Sequence, residues 1–293
     1  MDVFFVISGF LITSLIIGDL EQRRFSLLGF WERRARRILP ALITVAGFTL
    51  VVGWFLLLPS DFARLGQSLL AQSVFGSNVF FWRQSGYFGP LADELPLLHT
   101  WSLAVEEQFY LLFPLSMVVI SRFAFRFRSQ LVLALGVASL AISIWAVQQT
   151  PGAAFYLLPS RAWELAVGAW LALQKDNLRA SDTIRQVVSF LGVGLIAFSV
   201  VAFDPATPFP GIAAIWPVLG TGAVIWANGT KLTFVGRLLA TRPLVFVGLI
   251  SYSLYLWHWP LFVFARYVNS TAFLSFGWNL GVVSLSFTLA YLS

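Results

Sequence analysis

Residues 33–58 read RRARRILPALITVAGFTLVVGWFLLL. The arginine-rich start is followed by an apolar run, 38–58, that contains no Asp, Glu, Lys or Arg. A run of about 20 apolar residues is long enough to cross the hydrocarbon core of a bilayer as a helix. Basic flanks are typical of the cytoplasmic end of such a helix. This stretch therefore predicts a membrane-crossing α-helix whose N-terminal end lies in the cytoplasm.

The composition of the whole chain agrees with this prediction. Hydrophobic residues make up 58% of the sequence, charged residues make up 11%, and the mean hydropathy is +0.82. A soluble domain carries about 25% charged residues, so this chain has too few charges to cover a water-facing surface. The sequence has no Cys and two His, which excludes disulfides and thiolate sites and argues against a metal centre.

Nine apolar runs follow one another along the chain. They lie at roughly 3–18, 38–58, 102–121, 130–148, 157–174, 186–203, 211–227, 250–267 and 274–292. Segment 66–82 is less apolar, because it contains Gln67, Gln72 and Asn78, and is predicted to be an interfacial or re-entrant helix. The sequence therefore predicts an all-α, polytopic transmembrane bundle of about nine spans in a single domain, residues 1–293.

The basic residues predict how the chain crosses the membrane. Fifteen of the 19 Lys and Arg residues lie in four alternate loops, which are 19–37, 122–129, 175–185 and 228–243. By the positive-inside rule these loops face the cytoplasm, so topology explains the net charge of +6 better than nucleic-acid binding does. Met1 then lies on the outer side, and the simplest account is that a further transmembrane helix precedes it.

One polar cluster stands at the start of the third predicted span. Helical spacing puts Ser102 and Glu106 on one face, and His99 lies about one turn earlier. An imidazole beside a carboxylate is a workable general-base pair, because the carboxylate orients the ring and favours its charged form. The same cluster also fits a helix start, with Thr100 or Ser102 as the N-cap and Glu106 and Glu107 complementing the positive helix end. From the residues alone, both interpretations stay open.

Two further polar groups lie inside predicted spans, where ionisable side chains are costly and are functional candidates by default. Arg161 and Glu164 are three residues apart on a helix, so they predict either a structural ion pair or part of a polar cavity. His258 stands between Trp257 and Trp259. A histidine in such an aromatic helix is more often a satisfied hydrogen-bonding residue than a catalytic residue of the polar cavity, and both interpretations stay open.

The arginine run also allows two interpretations. Arg33, Arg34, Arg36 and Arg37 stand just cytoplasmic of a span, where such residues usually anchor the topology or contact lipid headgroups. Guanidinium groups also bind phosphate in a bidentate manner. Spacing alone favours the anchors.

Five segments of the chain resemble, in the same order, segments of the membrane acyltransferase family 3. They are Asp2–Thr13, Arg33–Pro40, His99–Pro114, Arg161–Gly168 and Ser251–Pro260. The chain is most similar to the bacterial O-antigen and peptidoglycan O-acetylases. This resemblance implies about ten core helices in the bacterial inner membrane. It also implies transfer of an acetyl group from cytoplasmic acetyl-CoA to a sugar hydroxyl of an envelope glycan, which is lipopolysaccharide O-antigen, exopolysaccharide or peptidoglycan.

The resemblance also implies roles for particular residues. The arginines of 33–37 become contacts for the CoA phosphates, and His99, Glu106 and Glu107 become lining of the acyl-transfer cavity. Arg161, Glu164 and His258 match family segments without an implied role.

The sequence departs from the family pattern at both ends. The family's first helix carries an Arg and a His thought to be catalytic, and neither is present here. The family's Tyr…Glu-x-Pro-x-Arg stretch is absent too, as is the periplasmic SGNH-type domain that follows it in some relatives. We therefore expect a fragment truncated at both ends, whose catalytic base belongs to the absent helix and whose activity depends on it.

Two other classes of function compete with this interpretation. A lipid-linked glycan transporter or flippase predicts inverted repeats and broken helices near the membrane midplane, and the sequence shows no repeat. An inactive membrane scaffold is the other alternative. Acetyl-CoA binding separates the enzyme from the transporter.

Overall fold

A computed structural model describes residues 1–85, 94–174, 180–204, 206–271 and 273–293, and all regular secondary structure in these ranges is helical. This confirms the predicted all-α class. The helices are α1 (Asp2–Glu21), α2 (Leu27–Leu56), α3 (Pro59–Ser73), α4 (Ser77–Gln84), α5 (Thr100–Phe123), α6 (Arg128–Gln149), α7 (Pro151–Tyr156), α8 (Leu158–Leu173), α9 (Asp182–Ala202), α10 (Ile215–Ala227), α11 (Phe234–Leu239), α12 (Arg242–Asn269) and α13 (Phe276–Leu292).

Six of the described helices are long and apolar enough to cross a membrane. They are α1, α2, α5, α6 with the turn before it, α9 and α12. The other three predicted spans correspond to α8, α10 and α13, which have 16, 13 and 17 residues. At about 1.5 Å per residue, these three helices are shorter than a hydrocarbon core of about 30 Å. The chain is therefore a helical membrane protein, and the nine-span topology stays a prediction.

The arginine run lies in a helix, whereas the sequence predicted that it lies in a loop. Helix α1 continues to Glu21 and helix α2 begins at Leu27, so residues 33–37 form early turns of α2. Hydropathy marks only the apolar part of a helix, whereas Arg, Glu and Ala continue a helix well outside the membrane. The four arginines consequently have helical spacing.

Segment 66–82 forms parts of two helices rather than one. Helix α3 ends at Ser73 and α4 begins at Ser77, and between them Phe75 has a left-handed backbone with φ of 54°. Gln72 and Asn78, whose polarity suggested an interfacial location, are both buried. The Ser77 hydroxyl lies 2.7 Å from Gln72 Oε1 and 3.0 Å from the carbonyl of Thr100. The Ser77 hydroxyl therefore joins α3 to the start of α5 inside the protein.

The described residues form two compact units. One comprises Met1–Gly29 and Val105–Thr241, and the other comprises Phe30–Ala104 and Arg242–Ser293. Two of the three boundaries between them fall within helices α2 and α5, and the third falls at the start of α12. The assignment of residues 1–293 to one domain stays a prediction.

In the first unit, helices α1 and α8 approach each other closely at two glycines. A Cβ atom added to Gly9 would lie 1.9 Å from the carbonyl oxygen of Leu165, and one added to Gly168 would lie 2.0 Å from that of Val6. Small residues let helix backbones meet in this way where lipid supplies no hydrophobic driving force. Each glycine therefore permits contact with the backbone of the other helix.

We expect Gly9→Ala to separate α1 from α8 and to destabilise the protein by about 1–3 kcal/mol, the usual range for overpacking a tight contact. The matched control is Gly18→Ala in the same helix, because nothing lies within 4 Å of a Cβ atom added there. Thermal unfolding of the purified chain in lipid nanodiscs measures both variants. Equal unfolding temperatures for the two variants would show that the α1–α8 contact is not a close one.

In the second unit, helix α12 contacts helix α2 and the residues that precede α5. The rings of Phe48 and Trp257 meet edge to face with centroids 4.9 Å apart, and the Tyr252 hydroxyl donates to the carbonyl of Ile38 at 3.1 Å. Further along α12, the indole N–H of Trp259 donates to the carbonyl of Leu95 at 2.8 Å. These contacts hold the residues that precede α5 against α12.

Candidate functional site

Two imidazoles meet edge to face in the second unit. The ring centroids of His99, directly before α5, and His258, in α12, are 5.7 Å apart, and the Tyr255 ring lies 5.2 Å from His99 and 5.5 Å from His258. Sequence reasoning selected both histidines separately. The structure brings them together.

The imidazole of His99 is almost completely buried, with 4% of the residue exposed. Neither ring nitrogen forms a hydrogen bond of normal geometry within the described ranges. Burial, followed by repulsion from the His258 ring, lowers the pKa of His99 well below its ordinary value, and the carbonyl of Leu256 opposes this shift only partly. His99 is therefore neutral at pH 7 and keeps one lone pair able to accept a proton.

Pro260 explains why a carbonyl of α12 is available to His99. A proline inside a helix has no N–H to donate to the residue four positions earlier, which here is Leu256. The Trp-His-Trp-Pro sequence therefore leaves the Leu256 carbonyl without its helical donor, and this carbonyl acts on the buried imidazole.

Ser102 belongs to a hydrogen-bond network beside the imidazoles. The Tyr255 hydroxyl donates to the main-chain carbonyl of His99 at 2.5 Å, and Ser102 Oγ lies 2.8 Å from the same hydroxyl. Because a tyrosine has one proton and uses it on the carbonyl, Ser102 must donate to Tyr255. This network fixes the main chain of His99. Tyr255 had no sequence signal beyond its place in the Ser251–Pro260 motif.

Glu106 and Glu107 lie in the first unit and are partly buried. The Tyr110 hydroxyl donates to Glu106 Oε2 at 3.1 Å and accepts a hydrogen bond from Ser8. Among the described residues of the second unit, no carboxylate forms an ion pair with either imidazole. The pairing of His99 with Glu106 stays a prediction, as does the place of Glu107 in an acyl-transfer cavity.

The arginines of 33–37 differ in their surroundings. Arg36 donates to Glu32 at 2.6 Å, one turn earlier on α2, and the Arg34 guanidinium lies 5.9 Å from the centroid of the Phe30 ring. Arg33 and Arg37 are exposed. Arg34 and Arg37 are three residues apart and share a face of the helix, as do Arg33 and Arg37, which are four apart. Phosphate binding by these arginines stays a prediction.

Arg161 and Glu164 form the ion pair that their spacing allowed, with Nη1 3.2 Å from Oε1 and both side chains fully buried. A second carboxylate joins them, because Arg161 Nη2 donates to Asp2 at 2.7 Å. Aromatic rings face the guanidinium, with the centroids of Phe5 and Phe209 at 5.3 and 5.4 Å. The sequence signal for Asp2 was a lone acid at the start of an apolar run. A role of Arg161 and Glu164 in a polar cavity stays a prediction.

The described residues contain no group of three or more His, Asp or Glu side chains suited to a metal ion.

Comparison with protein-family models matches the acyltransferase domain of acyltransferase family 3 over residues 1–293. An uncharacterized protein of Haemophilus influenzae is 34% identical over 240 residues, covering 77% of this chain and 96% of the relative. The putative peptidoglycan O-acetyltransferase YrhL of Bacillus subtilis is 30% identical, and the O-acetyltransferase OatA of Staphylococcus aureus is 32% identical. These two alignments cover 92% and 91% of this chain.

The chain spans less than half the length of those two O-acetyltransferases, 45% of YrhL and 46% of OatA. No solved structure matches it significantly. The family match nevertheless covers every residue, and it confirms the resemblance seen in five separate motifs. The chain belongs to acyltransferase family 3, a family of enzymes that transfer acyl groups.

Proposed function

We propose that the protein transfers an acetyl group from cytoplasmic acetyl-CoA to a sugar hydroxyl of an envelope glycan, in the inner membrane of a bacterium. The observation that carries this proposal is the acyltransferase match over residues 1–293, on a chain whose described part has six helices of membrane-crossing length. Relatives named as O-acetyltransferases support acetyl as the acyl group and peptidoglycan as one acceptor class. Membrane lipid and a glycan acceptor are then its partners.

The chemistry requires three things of the protein. An acetyl thioester is already activated, so the enzyme must hold it near the acceptor, take the proton of the acceptor hydroxyl and stabilise the oxyanion that forms. His99 is neutral, and Ser102 and Tyr255 fix its main chain. Its imidazole can therefore accept a proton without first having to lose one. Arg34 and Arg37 provide the cations for the CoA phosphates.

The gene product that contains residues 1–293, reconstituted in nanodiscs, tests this function directly. Acetyl-CoA labelled in its acetyl group is supplied together with an N-acetylglucosamine oligomer as the acceptor. We expect label in the carbohydrate as an ester that mild alkali releases, one free CoA for each acetyl group transferred, and none with heat-inactivated protein. Absence of both acetyl-CoA binding and transfer would contradict the proposal. It would favour a transporter or an inactive scaffold.

We also propose the nine-span topology, in which α8, α10 and α13 cross the membrane together with the six longer helices. Reporter fusions after Arg126 and Lys231 are expected to report a cytoplasmic location, and fusions at Gly152 and Pro208 a periplasmic one, because basic loops stay inside. Lys175 and Arg179, which contribute to the third basic loop, lie outside the described residues. A periplasmic signal after Lys231 would remove α10 from the set of spans.

A further inference from the structure

A basic cavity lies in the first unit, between the start of helix α9 and the segment that leads into α11. Its volume is about 240 Å³. It is lined by Asp182, Arg185 and Gln186 on one side, and by residues 231–233 and Arg237 on the other. Arg185, Lys231 and Arg237 bring three positive charges to the wall, and Asp182 brings the one negative charge. The cavity therefore favours an anion.

Hydrogen bonds to the main chain hold the walls of this cavity in place. The Arg185 side chain is buried, and it donates to the carbonyl of Ala227 at 2.9 Å and to the carbonyl of Lys231. The Gln186 side-chain oxygen accepts from the main-chain N–H of Phe234 at 2.9 Å. These bonds tie α9 to the segment before α11, so the fold itself forms the cavity.

The single acid of the cavity does not neutralise its cations. Asp182 forms an ion pair with Lys231, which stays largely exposed, and lies 3.6 Å from Arg185. Arg237 is exposed, and it forms no hydrogen bond or ion pair within the described ranges. Lys231 and Arg237 can therefore both reach an anion at the mouth of the cavity.

The mouth of the cavity lies near the membrane boundary. Phe190 is five residues after Arg185 on α9, which is about 7.5 Å along the helix. Its ring stacks on that of Phe234, with centroids 6.0 Å apart. Because α9 is long and apolar enough to cross a membrane, Phe234 lies beside the first turns of a predicted span. The predicted topology puts this end of α9 in the cytoplasm.

The exposed side chains beside the cations are apolar. Leu232, Phe234 and Leu238 are each at least half exposed, whereas Val235 and Gly236 between them are buried. Exposed apolar side chains next to cations are typical of a segment that lies in the membrane interface. A site for a water-soluble phosphate needs no such face. The cavity is also smaller than the usual small-molecule pocket of about 300–1,000 Å³, which suits a headgroup better than a whole cofactor.

We propose that this cavity binds the headgroup phosphate of an anionic phospholipid from the cytoplasmic leaflet. Basic pockets on the cytoplasmic side of helical membrane proteins bind such headgroups. Lys231 and Arg237 contact the phosphate, Arg185 holds the wall, and the acyl chains lie against the apolar face of Phe234 and Leu238. This site goes beyond the proposed acetyl transfer and does not depend on it.

Lys231→Gln combined with Arg237→Gln tests the site, because both side chains are exposed and neither donates to the main chain. The gene product that contains residues 1–293 is purified in detergent and titrated with dioleoyl phosphatidylglycerol or dioleoyl phosphatidylcholine, and native mass spectrometry measures the bound lipid. We expect the wild type to prefer phosphatidylglycerol by at least about tenfold. The two basic side chains should account for about thirtyfold in its affinity, so the double variant should lose the preference and keep its affinity for phosphatidylcholine.

Two control variants show whether the position of the charge matters. Arg237→Lys keeps the charge at the cavity and should keep the preference for phosphatidylglycerol. Arg122→Gln with Arg126→Gln removes two exposed cations between α5 and α6, and should also keep it. Equal wild-type affinity for the two lipids, or a preference that survives in the Lys231 and Arg237 variant, would overturn the inference.

Glycerol 3-phosphate and acetyl-CoA separate a lipid from a soluble phosphate. If either binds as tightly as phosphatidylglycerol, and the Lys231 and Arg237 variant loses that binding, the cavity is a site for a soluble phosphate and the lipid is overturned. If the double variant unfolds at a lower temperature, Arg237→Gln alone is measured, since this side chain has no partner to lose, and an unchanged lipid preference would then overturn the inference. None of these measurements depends on acetyl transfer, so failure of the proposed function stays distinguishable.

Discussion

Replacing Arg161 by methionine is expected to destabilise the protein by about 3–5 kcal/mol, the usual cost of removing one partner from a buried ion pair. The guanidinium lies between the carboxylates of Asp2 and Glu164, and its side chain is fully buried. Methionine fills much of the same volume but leaves the two acids without their cation. Thermal unfolding in nanodiscs and the amount of protein in the membrane should both fall.

Two further variants show whether the effect is electrostatic. Glu164→Gln combined with Arg161→Met removes one of the two uncompensated charges, so the double variant should be more stable than Arg161→Met alone. Arg126→Met, at an exposed position of the turn before α6, is the matched control and should unfold like the wild type. If Arg161→Met unfolds at the wild-type temperature, the cluster contributes nothing to the packing of α1 on α8.

Replacing Arg34 and Arg37 together by alanine is expected to weaken acetyl-CoA binding by at least about a hundredfold. Each charge-assisted hydrogen bond to phosphate contributes on the order of 1.5–3 kcal/mol. Arg34 and Arg37 share a face of α2, whereas Arg36 is already paired with Glu32. Equilibrium binding of acetyl-CoA to the protein in nanodiscs measures the effect.

The control for this double variant removes the same number of charges elsewhere. This control is Arg122→Ala with Arg126→Ala. Arg122 is in the last turn of α5 and Arg126 is in the turn before α6, and the predicted topology places both on the same side of the membrane. A large loss confined to the Arg34 and Arg37 variant would identify a specific phosphate site. Unchanged affinity in a folded and correctly oriented Arg34 and Arg37 variant would make these arginines topology anchors.

The features that could be read from the sequence are local ones. A run such as 38–58 predicts a membrane helix by itself, because its length and hydropathy decide whether it partitions into a bilayer. The i,i+3 pair of Arg161 and Glu164 could also be predicted from the sequence, because helical spacing alone brings the two side chains together. The limits of α2 could not be foreseen, because its first turns lie outside the apolar run.

The partners in the candidate site needed the tertiary structure. Hydropathy and helical period carry no information about which turn of one helix faces which turn of another. Asp2 and Arg161 are 159 residues apart in the sequence, and they meet because glycines let α1 and α8 come into backbone contact. His99 and His258 meet because Trp259 and Tyr255 of α12 donate to the main-chain carbonyls of Leu95 and His99.

The sequence by itself determined a helical membrane protein of an acyltransferase family and the residue types of its site, since hydropathy, charge and motif order are properties of the chain. Only the tertiary structure decided that the two histidines form a pair, that Ser102 serves Tyr255 rather than an imidazole, and that Asp2 completes the Arg161 cluster. Long-range packing sets these contacts: a side chain's partner depends on which helix faces it, and each helix here has several apolar faces that composition does not distinguish.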